Sequence, residues 1–159
     1  MALFLVQHGK SLPKEKDPDR GLSRQGIEET RAMAGVAQKQ NVQVSRIIHS
    51  GKKRALQTAE IFMKTLEPED GIAKSPGLAP LDDVTVFAAK ISAEENIMVV
   101  GHLPFMERLA SYLVSGSPEK TRVVKFQNSG IVCMDTEIDS QSFFICWALF
   151  PIINNESMK

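Results

Sequence analysis

The sequence has little with which to bind a metal or staple a fold. Cysteine occurs only at Cys133 and Cys146, and neither CxxC nor HExxH spacing appears. Two cysteines are too few for a disulfide framework, and they read as two buried thiols on late strands. The three histidines, His8, His49 and His102, are scattered along the chain and give no metal cluster. Neither sign of charge prevails, since 19 Lys and Arg face 19 Asp and Glu. No overall field therefore argues for nucleic acid or for a membrane surface. No apolar run approaches the length needed to span a bilayer. The opening run Met1 to Val6 turns polar at Gln7, is too short for a signal h-region and has no basic flank before it. Repeats, linkers and low-complexity segments are also missing. The expectation is a cytoplasmic protein that uses no metal and no cofactor, in which any anion binding comes from a local arrangement.

What is present suits one domain with a real core: 159 residues, 43% of them apolar and 24% charged. Residues 1–153 read as a single domain and 154–159 as a loose polar tail. Apolar runs alternate with amphipathic stretches. Leu3 to Val6 is a buried strand, followed by a polar loop from Gly9 to Gly21. Ser23 caps a helix reaching about Gln40. Val44 to Ile48 is a second strand, rich in β-branched residues. A helix from Lys53 to Leu66 repeats Ala55, Ala59, Phe62, Met63 and Leu66 on one face. A short strand lies near Ala73 and a helix from Asp83 to about Lys90. Ile97 to Val100 is a further strand, ended by Gly101, and Pro104 starts the next helix. Ile131 to Thr136 and Phe143 to Leu149 are late strands. This alternation predicts an α/β fold: a three-layer α/β/α sandwich around a mostly parallel sheet, with helices on both faces.

Ligands of such sheets bind beyond the carboxyl ends of the strands. There the notable polar residues stand: His8-Gly9, then His49-Ser50-Gly51 leading into Arg54, then Gly101-His102. Neutral imidazole is a good nucleophile toward phosphorus near neutral pH. Phosphoryl transfer also needs cations and amide donors around the equatorial oxygens, and an arginine, a second histidine and helix N-termini supply these without a metal. Glycines beside both histidines let the backbone approach a phosphate. Taken singly, each residue has an ordinary structural explanation, so the motifs must decide.

Val6-Gln7-His8-Gly9-Lys10-Ser11, Asp19-Arg20-Gly21-Leu22-Ser23 through Gly26, Arg46 to Ser50 with Arg54-Ala55-Leu56-Gln57-Thr58-Ala59, Val99 to Pro104, and Phe126 to Gly130 stand in the order found in the histidine phosphatase superfamily, which includes the phosphoglycerate mutases. The chain resembles that superfamily from residue 3 to about 134. Its short length and lack of large insertions are most similar to the phosphohistidine phosphatases of the SixA type. The resemblance implies His8 as nucleophile, Arg54 and His102 as phosphate ligands, and Gln7, Gly9, Ser11 and Leu103 as substrate-binding residues. It implies a phosphohistidine-bearing protein as substrate, because a minimal domain lacks the lids that enclose small sugars.

Two positions depart from the family. Gln7 stands where arginine usually precedes the nucleophile, and a glutamine brings no charge; Lys10, Lys52 and Lys53 are the candidate replacements. Many relatives use a carboxylic acid in the segment matching Leu78 to Asp83, where Asp82 and Asp83 are the only carboxylates. A phosphohistidine leaving group carries its own proton and needs such an acid less than an alcohol does. Three readings follow: an active phosphohistidine phosphatase, a phosphoprotein- or phosphate-binding module weakened by Gln7, and a phosphatase of small phosphoesters.

Overall fold

A computed structural model describes residues 2–91, 95–137 and 142–152. The chain runs β1 (Leu3–Gln7), α1 (Arg24–Lys39), β2 (Arg46–His49), α2 (Lys53–Leu66), β3 (Ile72–Lys74), α3 (Val84–Ala88), β4 (Ile97–Gly101), α4 (Phe105–Ser115), β5 (Ile131–Thr136) and β6 (Phe143–Leu149). The strands form one sheet in the order β3-β2-β4-β1-β5-β6. β3, β2, β4 and β1 pair in parallel, while β5 runs antiparallel to both β1 and β6. The sheet is therefore mixed, with a parallel half that carries the strand ends of interest.

Two apolar layers enclose the sheet. Phe4, Val6, Ile47, Met98 and Val100 face Met33, Ala34 and Ala37 of α1 and Ala55, Ala59 and Phe62 of α2. Leu3, Leu5 and Val99 face Val84 and Phe87 of α3 and Phe105, Met106 and Leu109 of α4. β1 and β4 are buried at every residue. Strands covered on both faces read as unbroken apolar runs without alternation, which is why both were plain in the sequence.

The helices begin and end where local chemistry dictates. Ser23 Oγ accepts the Gly26 N–H at 3.0 Å, capping α1. A Cβ at Gly26 would stand 2.2 Å from the Lys10 carbonyl oxygen, so glycine lets the loop after His8 lie directly on α1. Asp83 Oδ1 accepts the Thr85 N–H at 2.9 Å and caps α3. α3 is shorter than the helix expected to reach Lys90, because Lys90 and Ile91 bond three residues back, to Phe87 and Ala88, in a tighter turn. β2 starts at Arg46, not Val44, since its pairing with β4 begins at Arg46 opposite Ile97. One further expectation is corrected. Cys133 is buried, but Cys146 is exposed. The register slips between Cys133 and Met134, and β6 is the edge strand, so the alternation that would bury Cys146 is broken there. The expected tail, 154–159, lies outside the described residues.

Candidate active site

β1, β4 and β2 are parallel neighbours, so their carboxyl ends meet at one edge of the sheet. His8 follows β1, and its N–H donates to the Gly101 carbonyl at 3.0 Å, joining the two histidine segments. The His8 and His102 rings lie 5.0 Å apart, centre to centre. Arg54, in the first turn of α2, donates from Nε to His8 Nε2 at 3.3 Å. The three residues singled out as catalytic from the sequence thus share one place.

His8 is held in one tautomer. Its Nδ1 lies 2.7 Å from the Gly9 carbonyl oxygen. A carbonyl only accepts, so Nδ1 carries the proton and Nε2 keeps its lone pair. Burial, outweighing the Gly9 hydrogen bond, and then the charges of Arg54 and Arg20 push the imidazole down to about 4. His102 is held down to about 3, again chiefly by burial, followed by His8, Arg54 and Lys52. Both rings are neutral at physiological pH. Ser50 Oγ sits 2.6 Å from His102 Nε2.

The backbone around His8 is fixed from several elements. Asn128 donates from Nδ2 to the His8 carbonyl at 2.9 Å. Gly9 donates its N–H to Thr58 Oγ1 at 2.9 Å. Beneath Gly9, Thr30 Oγ1 and Ser129 Oγ form a buried hydroxyl pair 2.7 Å apart. The glycines beside the histidines are closely packed by the protein itself. A Cβ on Gly9 would meet Thr30 Oγ1 at 2.8 Å, and one on Gly101 would meet Met106 Sδ at 2.6 Å. They make room for side chains of the protein.

Gln7 ends β1, is buried, and leaves Oε1 without a hydrogen-bond partner. Ser11 makes an isolated bridge to Leu22, and Leu103 packs half-buried against the α3–α4 layer. Both carboxylates considered as an acid accept hydrogen bonds from neighbouring backbone. Asp82 Oδ2 accepts the Ala79 N–H at 2.8 Å. Asp83 is held below the usual carboxylate range by hydrogen bonds from the Thr85 hydroxyl and amide, so it is ionised and has no proton to give. Of the candidate replacement cations, Lys10 lies 3.8 Å from Glu29 and Lys53 2.8 Å from Asp17. His49 is buried, and its Nδ1 accepts the Gly51 N–H at 3.0 Å.

One residue given no role from the sequence joins the group. Arg20 adopts a left-handed φ of 53°, and its Nε is buried without a hydrogen-bond partner. Its charge depresses both His8 and Arg54. The turn that presents it is built by Asp17, whose carboxylate accepts the N–H groups of Asp19 and Gly21. Asp17-Pro18-Asp19-Arg20-Gly21 is legible as a turn. The direction of the Arg20 side chain was not.

Two neutral histidines with two arginines bearing on them, at the carboxyl edge of a three-layer α/β sheet, define the class. The family model of the histidine phosphatase superfamily (branch 1) matches residues 3–82, and the chain belongs to that superfamily as a histidine-phosphatase-type phosphatase. It is 31% identical over 122 residues to the phosphohistidine phosphatase SixA of Escherichia coli (strain K12), covering 73% of this chain and 76% of that protein. The solved structure of the protein histidine phosphatase SixA complexed with tungstate superposes with a TM-score of 0.82 at 29% identity, over 95% of this chain and 97% of the other. The fold is also that of a phosphoserine phosphatase from Entamoeba histolytica, solved with 3-phosphoglyceric acid: TM-score 0.68 at 15% identity, over 93% and 96% of the two chains. Among the described residues no helix is long and apolar enough to cross a membrane.

Proposed function

We propose that the protein dephosphorylates phosphohistidine on a partner protein in the cytoplasm, through a phosphoenzyme on His8. The observation that carries this reading is the pairing of a neutral His8, its Nε2 unprotonated and held by the Arg54 guanidinium, with the charges of both Arg54 and Arg20. Arg20 supplies the cation that Gln7 does not, which favours an active enzyme over a weakened binding module.

In the first step His8 Nε2 attacks phosphorus. The new N–P bond forms as the bond from phosphorus to the substrate imidazole breaks, and that imidazole leaves with the proton it already carries. Arg54, Arg20 and His102 hold the three equatorial oxygens, whose charge grows toward the transition state. Water then attacks the phosphorus, His8 departs with its lone pair restored, and inorganic phosphate is released with the water proton. Asp83, held ionised by Thr85, is a poor proton donor, which suits a leaving group that can carry its own proton. Both solved relatives were crystallised with small oxyanionic ligands, tungstate and a phosphorylated acid, in keeping with such a site.

The test is turnover of a phosphohistidine peptide beside a phosphoserine peptide, with acid quench and trapping of labelled phosphate on the protein. Hydrolysis of the first at least tenfold faster than the second is expected. His8→Ala is expected to abolish both turnover and labelling, with an unchanged melting temperature. Labelling of His8→Ala at wild-type levels would assign the nucleophile elsewhere.

A further inference from the structure

We propose that the groove beside the site, at the N-terminal end of α2, docks an acidic segment of the phosphorylated partner protein. This rests on the phosphohistidine reading above and adds which surface the partner presents. The groove measures about 610 Å³ and is lined by Lys14, Arg20, Lys52, Lys53 and Arg54, with Asp19 the one carboxylate among its lining residues. It opens directly onto the site, because Arg54 also reaches His8 Nε2 and the Lys52 charge acts on His102. Lys74 adds a further cation at the rim: its stem lies over Gly51, where a Cβ would stand 2.5 Å from Lys74 Cε.

The charges exceed what one phosphoryl group requires. A phosphoryl group carries at most two negative charges, and Arg20 and Arg54 already bear on its position. Lys53 is answered by Asp17. Lys14, Lys52 and Lys74 remain exposed and without an ion pair among the described residues. The chain as a whole is neutral, so this concentration is local and not the by-product of a basic protein. A local field of one sign raises the rate at which an oppositely charged partner arrives and orients it on arrival. The carboxylates flanking a phosphohistidine are the complementary chemistry. No aromatic side chain lines the groove, so it offers no platform on which nucleic-acid bases would stack.

The experiment compares two synthetic phosphohistidine peptides of equal length, one flanked by four glutamates and one by four glutamines. Wild type is expected to show about tenfold higher kcat/KM on the Glu-flanked peptide at low salt, through KM, with the preference vanishing in 0.5 M salt, since exposed ion pairs are each worth a few-fold and are screened. Lys14→Glu with Lys74→Glu is expected to erase the preference and leave the Gln-flanked peptide within about twofold. Equal kcat/KM on both peptides, or a preference that survives the double substitution, overturns the docking surface and leaves the phosphatase reading standing. Failure to hydrolyse either peptide overturns the phosphatase reading instead, and the groove is then judged by fluorescence anisotropy with the unphosphorylated Glu-flanked peptide. That peptide is expected to bind wild type and to bind the double variant about tenfold more weakly. Equal affinity for the two proteins, or tighter binding of a single-stranded oligonucleotide, overturns the proposal.

Discussion

Removing Arg20 tests whether its charge stands in for the arginine that Gln7 replaces. A hydrogen bond from a charged donor is worth about 1.5–3 kcal/mol and one from a neutral donor about 0.5–1.5 kcal/mol. Arg20→Gln keeps a donor of similar reach and loses roughly 1.4 kcal/mol in the transition state, about tenfold in kcat/KM. Gln7→Arg in the Arg20→Gln protein restores a charged donor from the end of β1, and about tenfold should return. In wild type the same Gln7→Arg substitution meets an occupied field. Two cations on one phosphoryl group, roughly 6 Å apart, repel by about 3 kcal/mol at an effective dielectric of 20. That repulsion exceeds the gain of about 1.4 kcal/mol, so Gln7→Arg should give no increase in wild type. The assay is kcat/KM on one phosphohistidine peptide for the four proteins of the cycle, with thermal melts to confirm folding. The decisive quantity is non-additivity. If Arg20→Gln changes nothing, or Gln7→Arg gives the same increase in both backgrounds, the two positions act independently and Arg20 does not compensate.

Three further outcomes follow from the same geometry. With His8 near 4 and His102 near 3, kcat/KM on p-nitrophenyl phosphate should stay flat from pH 7.5 to about 5.5 and fall only below, whereas an acid limb centred at 6.5 would show unshifted imidazoles. Stability should follow the same sign: between 6.5 and about 4 the unfolded chain binds protons that the folded rings refuse, so stability is full above 6.5 and declines as the pH is lowered through that window, measurable by urea titration. Gly9→Ala forces a Cβ to 2.8 Å from Thr30 Oγ1 and 3.1 Å from Ser129 Oγ, and it should lower kcat by at least a hundredfold and stability by about 1–3 kcal/mol; pairing it with Thr30→Ala should recover part of both, read by kinetics and melts. Activity should be unchanged in excess chelator, because arginine and imidazole do the charge neutralisation; loss in EDTA reversed by magnesium would refute that assignment.

The sequence disclosed elements wherever burial is complete or helical spacing is long, and failed where tertiary geometry intervenes. α2 spans the residues read from its periodicity, Lys53–Leu66. The neighbourhood of His8, His102 and Arg54 followed from the rule that parallel strands gather their carboxyl ends. Cys146 was misread because a register slip at an edge strand is invisible to alternation. Asp83 stood with Asp82 as the only carboxylates in the segment where relatives place an acid, and Thr85 two residues later engages its carboxylate as a helix cap. Arg20 carried no signal of its own. Its approach to His8 depends on a positive φ inside a turn held by Asp17, and on where that turn lands against α2 through Lys53.

The placement of β1 in the sheet has a consequence for how the protein comes into being. β1 is synthesised before both of its neighbours, β4, some ninety residues later, and β5, later still. His8 takes its backbone position from Gly101 and from Asn128. During translation His8, the proposed nucleophile, therefore exists long before anything orients it, and a chain halted before β5 has no partner for one edge of β1. Contacts of such long sequence separation must be closed before they contribute stability, which slows folding. Phosphatase activity thus arises late and all at once, and a nascent or truncated chain presents His8 only as an unactivated imidazole.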